Sequence, residues 1–163
     1  MIYFAYGSNM STARLRQRVP SARALGVAVL HGHRLAFHKA GRDGSAKCDV
    51  ALSTQPGDRV YGVIYAMHTR HRQRLDLAEG LGMGYEHKMV TVQLAEGNEA
   101  SALTYRATHT DPALLPYRWY LEHVLRGARE HGLPDHYLAT IAATNSADDP
   151  DPQRHLAELA IYA

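Results

Sequence analysis

Residues 2–10 read IYFAYGSNM, five apolar or aromatic residues running directly into Gly-Ser-Asn. An apolar run of this length, closed by turn residues, reads as a short buried strand, and Gly7 lets the chain bend sharply out of it. The stretch that follows, NMSTARLRQRV, has the helix starters Asn9 and Ser11 at its head and Pro20 just past its end. A strand over residues 2–5, a tight turn and a helix therefore open the chain. Two readings of the turn stand side by side. In the simpler one, Ser8 or Asn9 caps its own helix. In the other, unpaired amides of the turn and the positive end of the helix dipole hold a carboxylate or phosphate without any cationic side chain.

Outward from this turn, apolar and polar residues partly alternate from Ala24 to His38, as in a long half-buried strand or hairpin, with Gly26 and Gly32 as expected bulges. AGRDGSAK (residues 40–47) reads as a loop and DVALST as a strand. The turn QPGD (residues 55–58) is expected to join that strand to RVYGVIYAM as an antiparallel pair. A helix starts at Thr69 and ends in DLAEG, with Gly80 as its left-handed terminator. YEHKMVTVQL and SALTYRAT form a hairpin about AEGNEA, with Val90, Val92 and Leu94 on its core face. Tyr117–His131 carries apolar residues at helical spacing, Gly132 stops it, and Pro134 opens the next helix. The broken connector NSADDPDP leads to a last short amphipathic segment. Strands dominate the first two-thirds and helices the last third, so the class is α+β with a mainly antiparallel or mixed sheet.

At 163 residues one domain spanning 1–163 is the simplest organisation. Apolar residues make up 45% and charged ones 21%, which excludes disordered and fibrous classes. All 18 cationic residues except Lys39, Lys47 and Lys88 are Arg, but they spread from Arg14 to Arg154. RHRQR at 70–74 reads as a solvated helix face, so no nucleic-acid partner is expected. One cysteine, Cys48, excludes an internal disulfide framework. Met1 leads straight into a strand, without a basic leader and without an apolar stretch near the ~20 residues of a membrane span. A cytoplasmic protein with no membrane partner is the expectation.

Several features imitate chemistry. GLGMG (Gly80–Gly84) follows a helix and precedes a strand, the reverse of a dinucleotide-binding loop. Eleven His residues are scattered, none with the context of a zinc site, so no metal is expected. Cys48 has no recognisable base partner and reads as an inert thiol. Glu79 stands apart. It lies in the last turn of its helix, facing the negative end of the dipole, with Asp76 one turn back. That setting, with Leu75, Leu77 and Tyr85 near, favours the protonated acid and suits a proton shuttle. The plainer alternative is an exposed Glu that tolerates its place.

In order along the chain, YFAYGSNM, PGDRVYGVIYAM, LDLAEGLGMGY and YLEHVLRGAREHGLP resemble the γ-glutamylcyclotransferase family, from about Ile2 to Ala143. The resemblance implies a small β-barrel or curved mixed sheet flanked by helices. It implies that Tyr6, Gly7, Ser8 and Asn9 hold the γ-glutamyl group, that Glu79 is the catalytic acid–base, and that Tyr85 and Tyr120 line the pocket. The implied reaction is attack of the substrate's own α-amine on its γ-carbonyl, giving 5-oxoproline and a free amine, without cofactor or metal. The leaving group remains open between an amino acid and an amine. A non-catalytic γ-glutamyl- or carboxylate-binding module of the same fold is the main alternative. Trp119, read as exposed beside its helix face, suggests a contact surface and a homodimer.

Overall fold

The apolar runs become seven strands, and five of them close on themselves. The computed structural model describes residues 1–163. In chain order the elements are β1 (Ile2–Ala5), α1 (Thr12–Arg18), β2 (Arg23–His31), β3 (His33–Ala40), β4 (Ala46–Leu52), β5 (Arg59–Ala66), α2 (Arg72–Glu79), β6 (Tyr85–Leu94), β7 (Glu99–Ala107), α3 (Arg118–Glu130), α4 (Asp135–Ala142) and α5 (Pro152–Leu159). The closed barrel has the order β1-β5-β2-β6-β7. Its pairs are antiparallel except where β1 meets β7 in parallel, at Tyr3 and Leu103. Closure removes the open edge that β1 would otherwise present. It also buries β1 on both faces, which is why Tyr3, Phe4 and Ala5 are all apolar and covered.

Two expectations about pairing are corrected. β4 does not pair with β5; it pairs with β3 as a separate two-stranded ribbon, from His33↔Leu52 to Ala40↔Ala46. The reason is Gly32, which marks no bulge but adopts a left-handed φ of 69° and turns the chain out of the barrel. Its amide donates to the Asp58 carbonyl and its own carbonyl accepts from Ser53, so the chain leaves and re-enters the barrel at one point. QPGD is therefore the return to the barrel, and β5 is claimed by β1 and β2. Gly26 does accompany a bulge, in the β2–β5 ladder.

Ser11, not Asn9, caps α1, accepting from the Arg14 amide at 3.4 Å. Gly80 ends α2 at φ 68°. Trp119 is the third correction. It is buried, its Nε1 donating to Asp149 at 2.7 Å, and so is not the exposed aromatic expected beside the helix face. No helix is long and apolar enough to cross a membrane.

The C-terminal segment is tied down by charge. Arg14 on α1 pairs with Glu158 on α5, and buried His123 on α3 contacts Arg14, Glu158 and the Tyr162 hydroxyl. Burial pushes the Glu158 carboxyl up, but His123 and Arg14 outweigh it and hold it down at about 2. A carboxyl depressed from 4.5 contributes stability that is complete above that value and is lost as pH falls toward 2. Denaturant titrations should show Glu158→Gln less stable than wild type at neutral pH, with the gap closing between pH 4.5 and 2. A gap that stays constant through that window would remove Glu158 from the acid response.

Candidate active site

The turn after β1 and the C-terminal end of α2 come together at the barrel mouth. Residues 8–10 form a 3-10 turn in which the Met10 and Ser11 amides return to the Gly7 and Ser8 carbonyls, at 2.9 and 3.3 Å. The amides of Gly7, Ser8 and Asn9, ahead of them, make no such bond within the turn. Asn9 does not cap a helix. Its Nδ2 donates to the Tyr3 hydroxyl at 3.0 Å and to Glu79 Oε1 at 2.7 Å. Arg18, one face of α1 away, donates to Asn9 Oδ1 at 2.9 Å and to the same Glu79 Oε1 at 3.0 Å.

Glu79 is thus clamped at one oxygen, with its side chain 14% exposed. Its other oxygen, Oε2, accepts neither of these bonds. The surroundings differ from those expected on α2 alone. Asp76 is taken up by the Tyr105 hydroxyl and His87, each at 2.6 Å, and Leu77 points to solvent. The ion-pair partner of Glu79 is a cation, Arg18, that no reading of α2 by itself can supply.

All seven residues singled out from the sequence line one recess: Tyr6, Gly7, Ser8, Asn9, Glu79, Tyr85 and Tyr120. Tyr3, Cys48 and Tyr105 complete its wall. Its free space is about 20 Å³, room for one oxygen-sized group. Ser8, Glu79, Tyr85 and Tyr120 also line a cleft of about 240 Å³, so the recess is the floor of a larger site. The phenols hold the scaffold. Tyr6 donates to the Tyr105 carbonyl and Tyr85 to the Cys48 carbonyl, both at 2.5 Å, while the Tyr120 hydroxyl accepts from the Cys48 amide at 2.9 Å. Burial raises the hydroxyl pKa of Tyr3, Tyr6, Tyr85 and Tyr120, keeping them neutral. Burial likewise pushes the Cys48 thiol up to about 12, so it is no thiolate. Among the recess residues, Glu79 is the one carboxylate.

The outer cleft is rich in cations, most of them spoken for. Arg14 pairs with Glu158, Arg18 with Glu79, and Lys47 with Asp43 at 2.7 Å. Burial would raise the Asp43 carboxyl, yet Lys47 and Ser45 together hold it below its ordinary value. Lys39 and Arg42 also line the cleft. Burial lowers the Lys39 pKa, with nearby Glu79 opposing. Sequence reasoning missed Tyr3, Arg18, Lys39 and Tyr105. The four-residue spacing of Arg14 and Arg18, which puts both on one face of α1, was the single available sign.

The sequence profile of the AIG2-like family matches residues 59–141. The chain is 36% identical over 140 residues to a γ-glutamylcyclotransferase of Bos taurus, covering 83% of this chain and 74% of the relative. A γ-glutamylcyclotransferase of Homo sapiens is 34% identical over 151 residues, with 90% and 80% covered. A solved structure of a γ-glutamyl cyclotransferase superposes with a TM-score of 0.85 at 31% identity, covering 93% of this chain and 91% of that one.

Proposed function

The chain belongs to the γ-glutamylcyclotransferase family, and from that premise we propose that Glu79 moves the protons of the reaction while the Gly7–Asn9 turn holds the γ-glutamyl group. The carrying observation is the position of Glu79: it is the carboxylate common to recess and cleft, clamped through Oε1 with Oε2 left to act.

The substrate's α-amine begins as an ammonium and is not nucleophilic. Glu79 takes a proton from it; the freed nitrogen attacks the γ-carbonyl, a ring bond forms, and the amide bond to the leaving nitrogen breaks. Between substrate and lactam the ammonium gives up two protons, and the departing nitrogen gains two to leave as an ammonium. One carboxylate cycling between its two forms balances the reaction. The oxygen-sized recess beside the turn suits a carboxylate oxygen or the developing oxyanion, met by backbone amides. Folding the chain so that amine and carbonyl are in contact supplies much of the remaining acceleration. The single buried and unpaired Cys48 supports a reducing, cytoplasmic setting.

The test is to incubate the purified protein with γ-glutamyl amino acids and γ-glutamyl amines and to quantify 5-oxoproline by mass spectrometry. Release is expected; binding without release would favour a non-catalytic module. A second measurement addresses the turn. A Cβ at Gly7 would stand 2.9 Å from the Cys48 Cβ and 3.4 Å from the Tyr120 hydroxyl, so Gly7→Ala must shift the turn against β4 or α3. Misplacement of that size lowers kcat/KM by about tenfold or more. Ser8→Ala removes a hydroxyl but leaves the amides, and should cost only a few-fold on the order of one ordinary hydrogen bond. If Ser8→Ala proves the more damaging of the two, a serine nucleophile must be reconsidered.

A further inference from the structure

The loop GLGMG, which runs from a helix into a strand, has a different use. A Cβ at Gly84 would lie 2.6 Å from the Lys39 Nζ and Cε, so the absence of a side chain there gives the Lys39 ammonium its seat. At the other end of the loop a Cβ on Gly80 would reach to 3.6 Å from an Arg42 nitrogen. Between them, Met83 Sδ accepts from Arg42 at 3.2 Å. The loop is thus shaped around two cations from the β3–β4 ribbon. They are the two cleft cations that stand in no ion pair within the protein. Lys39 is only 7% exposed, lies 4.9 Å from the Tyr85 ring centre, and makes no hydrogen bond through its ammonium. An ammonium that lines the open cleft in that state has a position free for an anion.

The position of these cations says which part of a substrate they meet. Lys39 and Arg42 line the outer cleft but not the recess, and Glu79 lines both. A bond broken at Glu79, with its glutamyl end toward the turn, leaves the departing residue in the outer cleft. Beside Arg42 that cleft continues into a second hollow of about 440 Å³, the two sharing Arg42, Leu77, Gly80 and Met83. Leu77 and Met83 are 80% and 73% exposed there, unusual for large apolar side chains at the mouth of a charged site. We propose that Lys39 and Arg42 form a carboxylate subsite for the leaving amino acid, and that Leu77 and Met83 form a shelf for an apolar side chain on it. The assignment rests on the cyclotransferase reading above. Among γ-glutamyl amino acids it makes those with bulky apolar side chains the preferred substrates.

The test uses a matched pair, γ-glutamyl-leucine and its decarboxylated counterpart γ-glutamyl-isopentylamine, with γ-glutamyl-alanine as the small-side-chain control. Wild type should favour γ-glutamyl-leucine over the amine by about 10- to 100-fold in kcat/KM, the range of a charge-assisted hydrogen bond. Lys39→Met should collapse that ratio toward one, chiefly through the KM of the leucine substrate, and Lys39→Arg should restore most of it. Gly84→Ala, which keeps the charge but obstructs its seat, should reduce the ratio as well. Leu77→Ser should lower γ-glutamyl-leucine relative to γ-glutamyl-alanine by roughly three- to tenfold. A wild-type ratio near one, or equal losses on both members of the pair in Lys39→Met, overturns the subsite. No 5-oxoproline from any compound overturns the cyclotransferase reading itself, a different and recognisable failure.

Discussion

Glu79→Gln is expected to lower kcat by about 10²–10⁴-fold, the usual worth of a positioned proton-transfer group. The substitution is nearly isosteric, and an amide oxygen can still accept from Asn9 and Arg18 as Oε1 does at 2.7 and 3.0 Å. What disappears is the capacity to take a proton from the substrate ammonium and return it to the leaving nitrogen. Arg18 then faces a neutral partner, but its side chain is 23% exposed and solvent offsets part of the lost pairing. Fold and ligand affinity should therefore survive while turnover does not. Single-turnover release of 5-oxoproline, with calorimetric binding of a non-cleavable γ-glutamyl analogue, separates the two. A variant that turns over at the wild-type rate would remove Glu79 from the chemistry, and one that no longer binds would make it a binding residue instead.

The second large effect is expected far from any titratable group. Gly127 lies on the buried face of α3, where a Cβ would stand 2.3 Å from the Ser11 amide nitrogen and 2.5 Å from the Met10 carbonyl carbon. Those are backbone atoms of the turn-to-α1 junction, so no rotamer change relieves the contact. Replacing Gly by Ala inside a helix ordinarily stabilises it by about 1 kcal/mol. Here the overpacking, about 1–3 kcal/mol and more when backbone must move, outweighs that gain. Gly127→Ala should melt about 5 °C or more below wild type in calorimetry. It should also lose activity, because the turn displaced by α3 is the one that carries Asn9 to Glu79. A melting temperature at or above wild type would mean that α3 and the turn do not approach this closely.

What could be read from the sequence was local. The opening strand, the turn, the Ser11 cap, the Gly80 terminator and the β6–β7 hairpin each announce themselves within a dozen residues, and each is present. The pairing of β5 is not local, because its partners are β1 and β2, while its neighbour in sequence, β4, belongs to another sheet. Nothing in QPGD distinguishes a hairpin from a return to the barrel; the difference is made at Gly32, more than twenty residues earlier. The site followed the same rule. Its seven residues could be proposed because they sit in compact motifs, whereas Arg18, Tyr3 and Lys39 reach it only through tertiary contact. Trp119 reads as a surface residue because its partner, Asp149, lies on the polar connector thirty residues on.

The ribbon of β3 and β4 stands outside the barrel ladder, and its hold on the recess includes the Tyr85 and Tyr120 hydroxyls, which bond the carbonyl and the amide of one residue, Cys48. Glu79, the group proposed to move the protons, is held elsewhere, by Asn9 of the first turn and Arg18 of α1. The tip of the ribbon, residues 41–45, supplies none of that clamp. A change of length or charge at that tip would therefore alter the outer cleft while leaving the contacts of Asn9, Arg18 and Glu79 in place.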